Sequence, residues 1–392
     1  MLSNIPLQIT GKEDSYDFPR SWLLPVLREN IQNANLSFFK TYFLPMAMAC
    51  QNRAEQADKE GDKIGNKSYE MLVSQIWALL PGFCNNPKDL KESFDDIVKH
   101  MGKNLQDRKD LRMYILASLR QLILKNAGND ENKAVLSKWA KKFLDTMCNL
   151  YIKRPSGAEE SGQRLSIMET IKLFLQLVEP PLLGVHFDRL FSTISEQTND
   201  KIDEFTREAC HDLLRVMLKY QDHNRVEQVY RLAANAFTNK DYKKQKKAYK
   251  LLEEICASES ESCQQFLQTN LEDIQKTLLN SLSKASPPSQ ASRIKCLTNI
   301  VRNLVQGGAN QEQFLYKIVP EAILCVRAAN EKARSGSYTL LVVIGETLQK
   351  WRSQDEIDTV IKDYMKVILA GLAGGPTMIH CTLKAITRYG FK

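Results

Sequence analysis

Apolar residues recur every three or four positions along almost the whole chain, and no stretch alternates convincingly between apolar and polar. Leu267, Leu271, Ile274, Leu278 and Leu282 form one such stripe, which Pro287-Pro288 are expected to stop. Ile294, Leu297, Ile300, Val301 and Leu304 form the next, with Gly307-Gly308 where a C-terminal cap belongs. Phe314, Leu315, Ile318 and Val319 open a third, and Pro320 is expected to bend it. The run Leu340-Leu341-Val342-Val343-Ile344 has the composition of a buried strand. Its flanks from Arg334 to Lys350 keep helical spacing with no turn residue before Gly345, so it reads as helix. The pattern predicts an all-α protein.

A second period lies above the helical one. Arg207, Lys246, Arg293 and Arg334 each open a segment of small and aliphatic residues, and they stand 39, 47 and 41 residues apart. That is the period of HEAT or armadillo units, each a pair of antiparallel helices. The segments read as the second helix of each pair, with Ala209, Ala248 and Gly336 small enough to let the two helices of a pair approach closely. A lone pair cannot bury its apolar stripe, so pairs must stack into an α-solenoid with a continuous core. Polar, glycine-bearing breaks at 59–67 and 153–163, and serine-rich ones at 258–261 and 283–292, mark loops. The expected organisation is a flexible leader over 1–17, an irregular helical region over 18–155 and HEAT-like repeats over 156–392.

The irregular region carries a distinctive block. Phe18-Pro19-Arg20-Ser21-Trp22-Leu23-Leu24-Pro25-Val26-Leu27 is followed by Leu36-Ser37-Phe38-Phe39-Lys40-Thr41-Tyr42-Phe43-Leu44-Pro45-Met46-Ala47, two Leu-Pro-aliphatic steps inside aromatic runs. Trp77-Ala78-Leu79-Leu80-Pro81-Gly82-Phe83-Cys84, Gln245 to Glu254, Leu271 to Leu279 and Ile318 to Cys325 come after it in order. In this succession the chain resembles the ribosomal RNA processing protein 12 family, nucleolar helical-repeat proteins of eukaryotes. The resemblance implies a non-catalytic scaffold in small-subunit ribosome assembly that binds pre-rRNA and assembly factors and supports pre-rRNA processing and subunit export. It also implies residence in the nucleus and nucleolus with shuttling to the cytoplasm, and the Ran GTPase and exportins as partners. Family members run on past this length with more repeats and a charged tail, so the chain reads as a central segment.

Composition narrows the classes. Hydrophobic residues make up 43% and charged residues 26%, enough apolar material for a sizeable core and no low-complexity chain. The net charge of +8 suits an anionic partner without requiring one. Nine cysteines (50, 84, 148, 210, 256, 263, 296, 325 and 381) are scattered, with no pair at zinc-knuckle or redox spacing. They read as reduced core thiols of a cytosolic or nuclear protein. Met1 to Pro6 lacks the basic start and apolar core of a secretory signal, and the apolar run 367–376 is far short of the roughly 20 residues a bilayer requires. No membrane and no small-molecule substrate are expected.

Motifs for catalysis are missing: no His-Glu-x-x-His, no phosphate loop, no nucleophile elbow. His100, His186, His211, His223 and His380 stand at no metal-ligand spacing, and no cofactor is expected. The strongest binding candidate is Lys243, Lys246, Lys247 and Lys250, whose spacing puts four cations on one helical face, thickened by Lys240 and Lys244. RNA phosphates are the anion such a face would take; a plain solvated lysine face is the other reading. Secondary basic residues are Lys138, Lys141 and Lys142, Lys153-Arg154 in the loop before Pro155, and Arg108, Lys109 and Arg112, read first as solvated positions. Trp22, Phe38, Phe39, Tyr42, Phe43, Trp77 and Phe83 read as core packing rather than a stacking platform for bases. Two rivals to the scaffold reading are an importin-β-like transport receptor that binds proteins without touching RNA, and a nuclease using carboxylates such as Asp95-Asp96 or Glu253-Glu254.

Overall fold

The computed structural model describes residues 21–195, 202–304 and 309–389, and every regular element among them is helical. The leader 1–17, the first three residues of the Phe18 block and the helix end expected at Gly307-Gly308 lie outside the described residues. The chain divides into two compact units, one of residues 1–185 and 203–209, the other of 186–202 and 210–392.

In the first unit, α1 (Leu23–Asn30) precedes a continuous helical path through α2 (Leu36–Phe38), a π-turn at Phe39–Phe43 and α3 (Leu44–Lys59). Pro45 explains the π-turn: it has no N–H to return to Thr41, so the chain widens for one turn before the α-helix resumes. α4 (Lys63–Trp77) folds back on α3, its first turn capped by Asp62, whose carboxylate accepts from the amides of Ile64 and Gly65. α5 (Leu80–Phe83), α6 (Leu90–Asp107), α7 (Arg112–Asn126), α8 (Asp130–Ile152) and α9 (Ala158–Phe174) follow. α5, α7 and α9 pack in succession, and α6 packs on α8, so a two-layer arrangement is already present here.

Phe39, Phe43, Trp77 and Phe83 are buried and their rings meet at 5.5–6.1 Å, which is core packing as the spacing predicted. Trp22 and Tyr42 depart from it: they are 64% and 49% exposed. Trp22 stands at the N-cap of α1, before the helix has a face to bury, and Tyr42 falls on the outer side of the π-turn.

α10 (Pro180–Ser195) and α11 (Glu204–Met217) each run from one unit into the other. The second unit continues with α12 (His223–Ala236), α13 (Tyr242–Ala257), α14 (Glu261–Asn280), α15 (Gln290–Arg302), α16 (Ala309–Cys325), α17 (Glu331–Lys350), α18 (Ile357–Leu369) and α19 (Pro376–Tyr389). α13, α15, α17 and α19 form one layer and α12, α14, α16 and α18 the other, with α12 against α13 and α16 against α17. The packing of α13 on α15 and of α15 on α17 is the stack read from the 47- and 41-residue steps. Asp222, Asp241 and Asn330 cap α12, α13 and α17, each accepting a hydrogen bond from a first-turn amide.

Two local expectations change. Leu340–Ile344 lies in the middle of α17 as read, but Gly336 on that helix does not serve its pair partner α16. A Cβ at Gly336 would stand 3.1 Å from Cγ2 of Ile294, on α15, so the small residue permits close approach between neighbouring repeats. α14 ends at Asn280, ahead of Pro287-Pro288, which instead open the short 3-10 turn leading into α15; Leu282, in the 3-10 turn directly after α14, is exposed. The segments' basic first residues share no role: Lys246 is exposed, Arg334 donates to the carbonyls of Ala328 and Ala329, and Arg293 is fully buried.

All nine cysteines are free and buried, as reduced core thiols should be. Burial pushes the Cys84 and Cys325 thiols up to about 12, so they stay protonated. No helix among the described residues is long and apolar enough to cross a membrane.

Candidate nucleic-acid interface

α13 turns Gln245, Ala248, Tyr249, Leu251, Leu252, Ile255 and Cys256 into the core, which forces its lysines outward. Gln245 fixes the start of the helix. Its side-chain amide donates to the carbonyls of Phe237 and Lys284, both at 2.7 Å, and accepts from the amide of Ser286. The lysine face is not uniform along its length. Lys240, Lys243, Lys244 and Lys246 are exposed. Lys247 is half-buried and donates to Asp212 of α11 at 2.8 Å. Lys250 is also half-buried; burial pulls its pKa below the usual lysine value, Asp212 opposes that, and Lys247, Arg215 and Lys246 add to it. Beyond it Arg215 pairs with Glu254 at 3.3 Å and Lys295 with Glu253 at 3.0 Å. The lysines read from spacing thus divide: four point into solvent and two are half-buried, Lys247 of them on Asp212 of α11. Helical spacing gives the direction of a side chain but not which neighbour comes to meet it.

The secondary basic residues also separate. Lys138 pairs with Asp95 and lies 5.7 Å from the centroid of Trp139, whose indole N–H donates to the same carboxylate; Lys141 and Lys142 are exposed. Arg108 pairs with Asp110 and Glu70. Arg112, read as a solvated position, is instead buried. It donates to the carbonyls of Leu105 and Gln106 at the end of α6 and to Oε1 of Gln163. It opens α7 directly after the α6 turn, so its side chain folds back over the carbonyls that α6 leaves unsatisfied.

Lys153 and Arg154 stand exposed at the edge of a cleft of about 200 Å³ between the ends of α6 and α8 and the first turns of α9. Lys109 and Arg164 line it too. Sequence reasoning missed Arg164. Its guanidinium carbon lies 4.3 Å from the ring centroid of Tyr151 and 4.4 Å from that of Phe205, a sandwich whose partners come from 13 and 41 positions away. The only linear trace of the cleft is the basic dipeptide before Pro155.

The carboxylates suspected of a nuclease role do not converge. Asp95 goes to Lys138, Asp96 to Lys40, Glu253 to Lys295 and Glu254 to Arg215. No group of three or more metal-ligating side chains occurs among the described residues.

Helix pairs that stack in two layers over a shared buried core define the HEAT type of α-solenoid. Solved structures agree on the fold: karyopherin Kap121p bound to the extreme C-terminus of the protein phosphatase Cdc14p aligns over 96% of this chain and 36% of its own, with a TM-score of 0.62 at 12% identity. Kap121p bound to RanGTP aligns with a TM-score of 0.59 at 9% identity, over 96% of this chain and 41% of its own. The family model "Ribosomal RNA-processing protein 12, HEAT repeats" matches residues 1–154. RRP12-like proteins of Gallus gallus and Homo sapiens are 37% and 35% identical over the whole chain, and ribosomal RNA-processing protein 12 of Saccharomyces cerevisiae is 24% identical over 94% of it. The chain belongs to the ribosomal RNA-processing protein 12 family, and it spans about 30% of the length of these curated relatives.

Proposed function

We propose that the chain is a non-catalytic scaffold segment in ribosome biogenesis, which binds small-subunit pre-rRNA and assembly factors in the nucleus and nucleolus and accompanies the particle toward export. Family membership supports the process, ribosomal RNA processing, from the names its relatives carry. The observation that carries the RNA contact is the solvent-facing start of α13, where Lys240, Lys244 and Lys246 project without a carboxylate partner among the described residues. Phosphates recruited there would be bound through counterion release, so affinity should fall steeply with salt.

The test replaces Lys240, Lys244 and Lys246 together by Glu and leaves the half-buried Lys247 and Lys250 untouched. Binding to a small-subunit pre-rRNA fragment should weaken, and the slope of log affinity against log salt should fall by about 2, at roughly 0.7 per single-strand phosphate contact. Unchanged affinity and slope would sink the α13 interface.

A second reading takes the segment as a protein-docking adaptor without RNA contact. The Kap121p fold likeness favours it, since those solved chains are bound to proteins including RanGTP. Partners recovered with the tagged chain after nuclease treatment, with no crosslinked RNA, would support the adaptor; the net charge of +8 leans toward the RNA scaffold.

A further inference from the structure

The cleft beside α9 is arranged around an arginine that makes no ion pair among the described residues. Arg164 is clamped between Tyr151 and Phe205, its Nε is buried without a hydrogen-bond acceptor, and no carboxylate pairs with it among the described residues. Stacking satisfies the faces of a guanidinium and leaves its in-plane donors unused. A buried donor left unpaired costs free energy that only an incoming acceptor can return.

The other charges around the cleft are largely accounted for. Glu160 accepts from Lys109 and from the amide and hydroxyl of Ser156, which together hold its carboxyl down at about 2. Arg154 pairs with Asp203 at 3.0 Å. Arg112 spends its donors on carbonyls and Gln163. With these pairs set aside, Arg164 and the exposed Lys153 face a single remaining carboxylate on the lining, Asp107. An anion whose oxygens can lie in the plane of a guanidinium, as those of phosphate do, matches these donors.

We propose that this cleft binds one phosphodiester of RNA, gripped by the in-plane donors of Arg164 and steered by Lys153 at its mouth. The two rings that might have stacked on a base are closed on Arg164, so the contact reads backbone and not sequence. It is a second contact point, on a different unit from the α13 lysines, and it rests on the RNA reading above.

The experiment titrates the 392-residue chain with a fluorescently labelled 20-nucleotide single-stranded RNA at several salt concentrations, beside Arg164→Gln, Arg164→Lys and Lys153→Gln, with thermal melts of each. Arg164→Gln should weaken binding roughly tenfold and lower the salt slope by about 0.7. Arg164→Lys should restore the slope but only part of the affinity, because it keeps the charge and loses the planar fork. Lys153→Gln removes an exposed cation and leaves the fold alone, so it should weaken binding by a smaller factor with an unchanged melt. Full affinity in both Lys153→Gln and a stably folded Arg164→Gln would overturn the cleft while leaving RNA binding intact. No RNA binding by the unaltered chain would overturn the functional reading and this proposal together. Arg164-dependent binding of a phosphoserine peptide, with RNA unaffected by the substitutions, would overturn RNA as the occupant.

Discussion

Among the described residues two arginines are buried, one in each unit, and they are kept charged by opposite means. Arg112 in the first unit is 6% exposed and bonds to the carbonyls of Leu105 and Gln106 and to Gln163, with no ion-paired carboxylate among the described residues. Burial draws its pKa below the usual arginine value, with Glu160 pulling the other way. Arg293 in the second unit is fully buried and holds Glu321 through two donors, then spends the rest on Tyr249, Ser281 and the carbonyl of Leu278. Burial opposes its charge as well, but the carboxylate and Tyr249 outweigh that and raise its pKa. The first arginine closes the end of one helix at the wall of a cleft. The second joins four helices: α13 through Tyr249, α14 through Leu278, α15 by its own backbone and α16 through Glu321. A buried charge satisfied by carbonyls is replaceable by water; one satisfied by another buried charge is not.

That difference sets the largest expected effect. Glu321→Gln leaves the Arg293 guanidinium buried with no countercharge, a loss of about 3–5 kcal/mol by denaturant unfolding. Replacing both by Met and Leu of similar volume should recover most of it, because neither side is then left stranded. Arg112→Met frees carbonyls that the adjoining cleft can hydrate, and should cost about 1–2 kcal/mol. Equal losses in the two single variants would break the comparison.

His211 shows a third solution, giving up the charge. Burial pulls its pKa down to about 4, Lys247 lowers it further and Asp212 partly opposes. Its Nδ1 is buried without a partner. The unfolded chain takes up the proton near 6.5 while the folded chain resists it until about 4, so stability is complete above pH 6.5 and declines as pH falls through that window. Between pH 7.5 and 5 the loss should be about 2 kcal/mol, at roughly 1.4 kcal/mol per unit of difference. His211→Gln should flatten that part of the curve. An unfolding profile as steep in the variant as in the parent would remove His211 from the account.

These buried groups also mark where the sequence stopped being readable. Period 3.6 marks the helices, and the 47- and 41-residue steps mark the stacked layers, because both depend on local spacing that the chain carries in one dimension. Arg207, Lys246, Arg293 and Arg334 stood alike in that pattern, yet only Arg293 is buried, since its fate is decided by Glu321, 28 residues on. Gly336 reads from the sequence as a close-approach residue, but the neighbour it admits is Ile294 of the adjoining repeat, which linear order does not name. The α13 lysines were legible as a face, and the Asp212 that draws in Lys247 was not. Arg164 was invisible because nothing local distinguishes it; Tyr151 and Phe205 are brought to it by α8 and α11.

The smallest effect belongs to the most conspicuous residue of the aromatic block. Trp22 would be expected from its setting to anchor the fold, as Trp77 does with 2% exposure and an edge contact to Phe39 at 5.9 Å. It is 64% exposed at the N-cap of α1, where it makes no side-chain capping bond. Apolar surface that stays in water contributes little to folding, so Trp22→Ala should change unfolding free energy by less than about 0.5 kcal/mol, against about 3–5 kcal/mol for Trp77→Ala. A Trp22→Ala loss approaching that of Trp77→Ala would mean the indole is covered in solution and would return it to the core. A stable Trp22→Ala chain that loses a protein partner in a pull-down would instead make the exposed indole an interface residue, which is where a large apolar group outside every core most often acts.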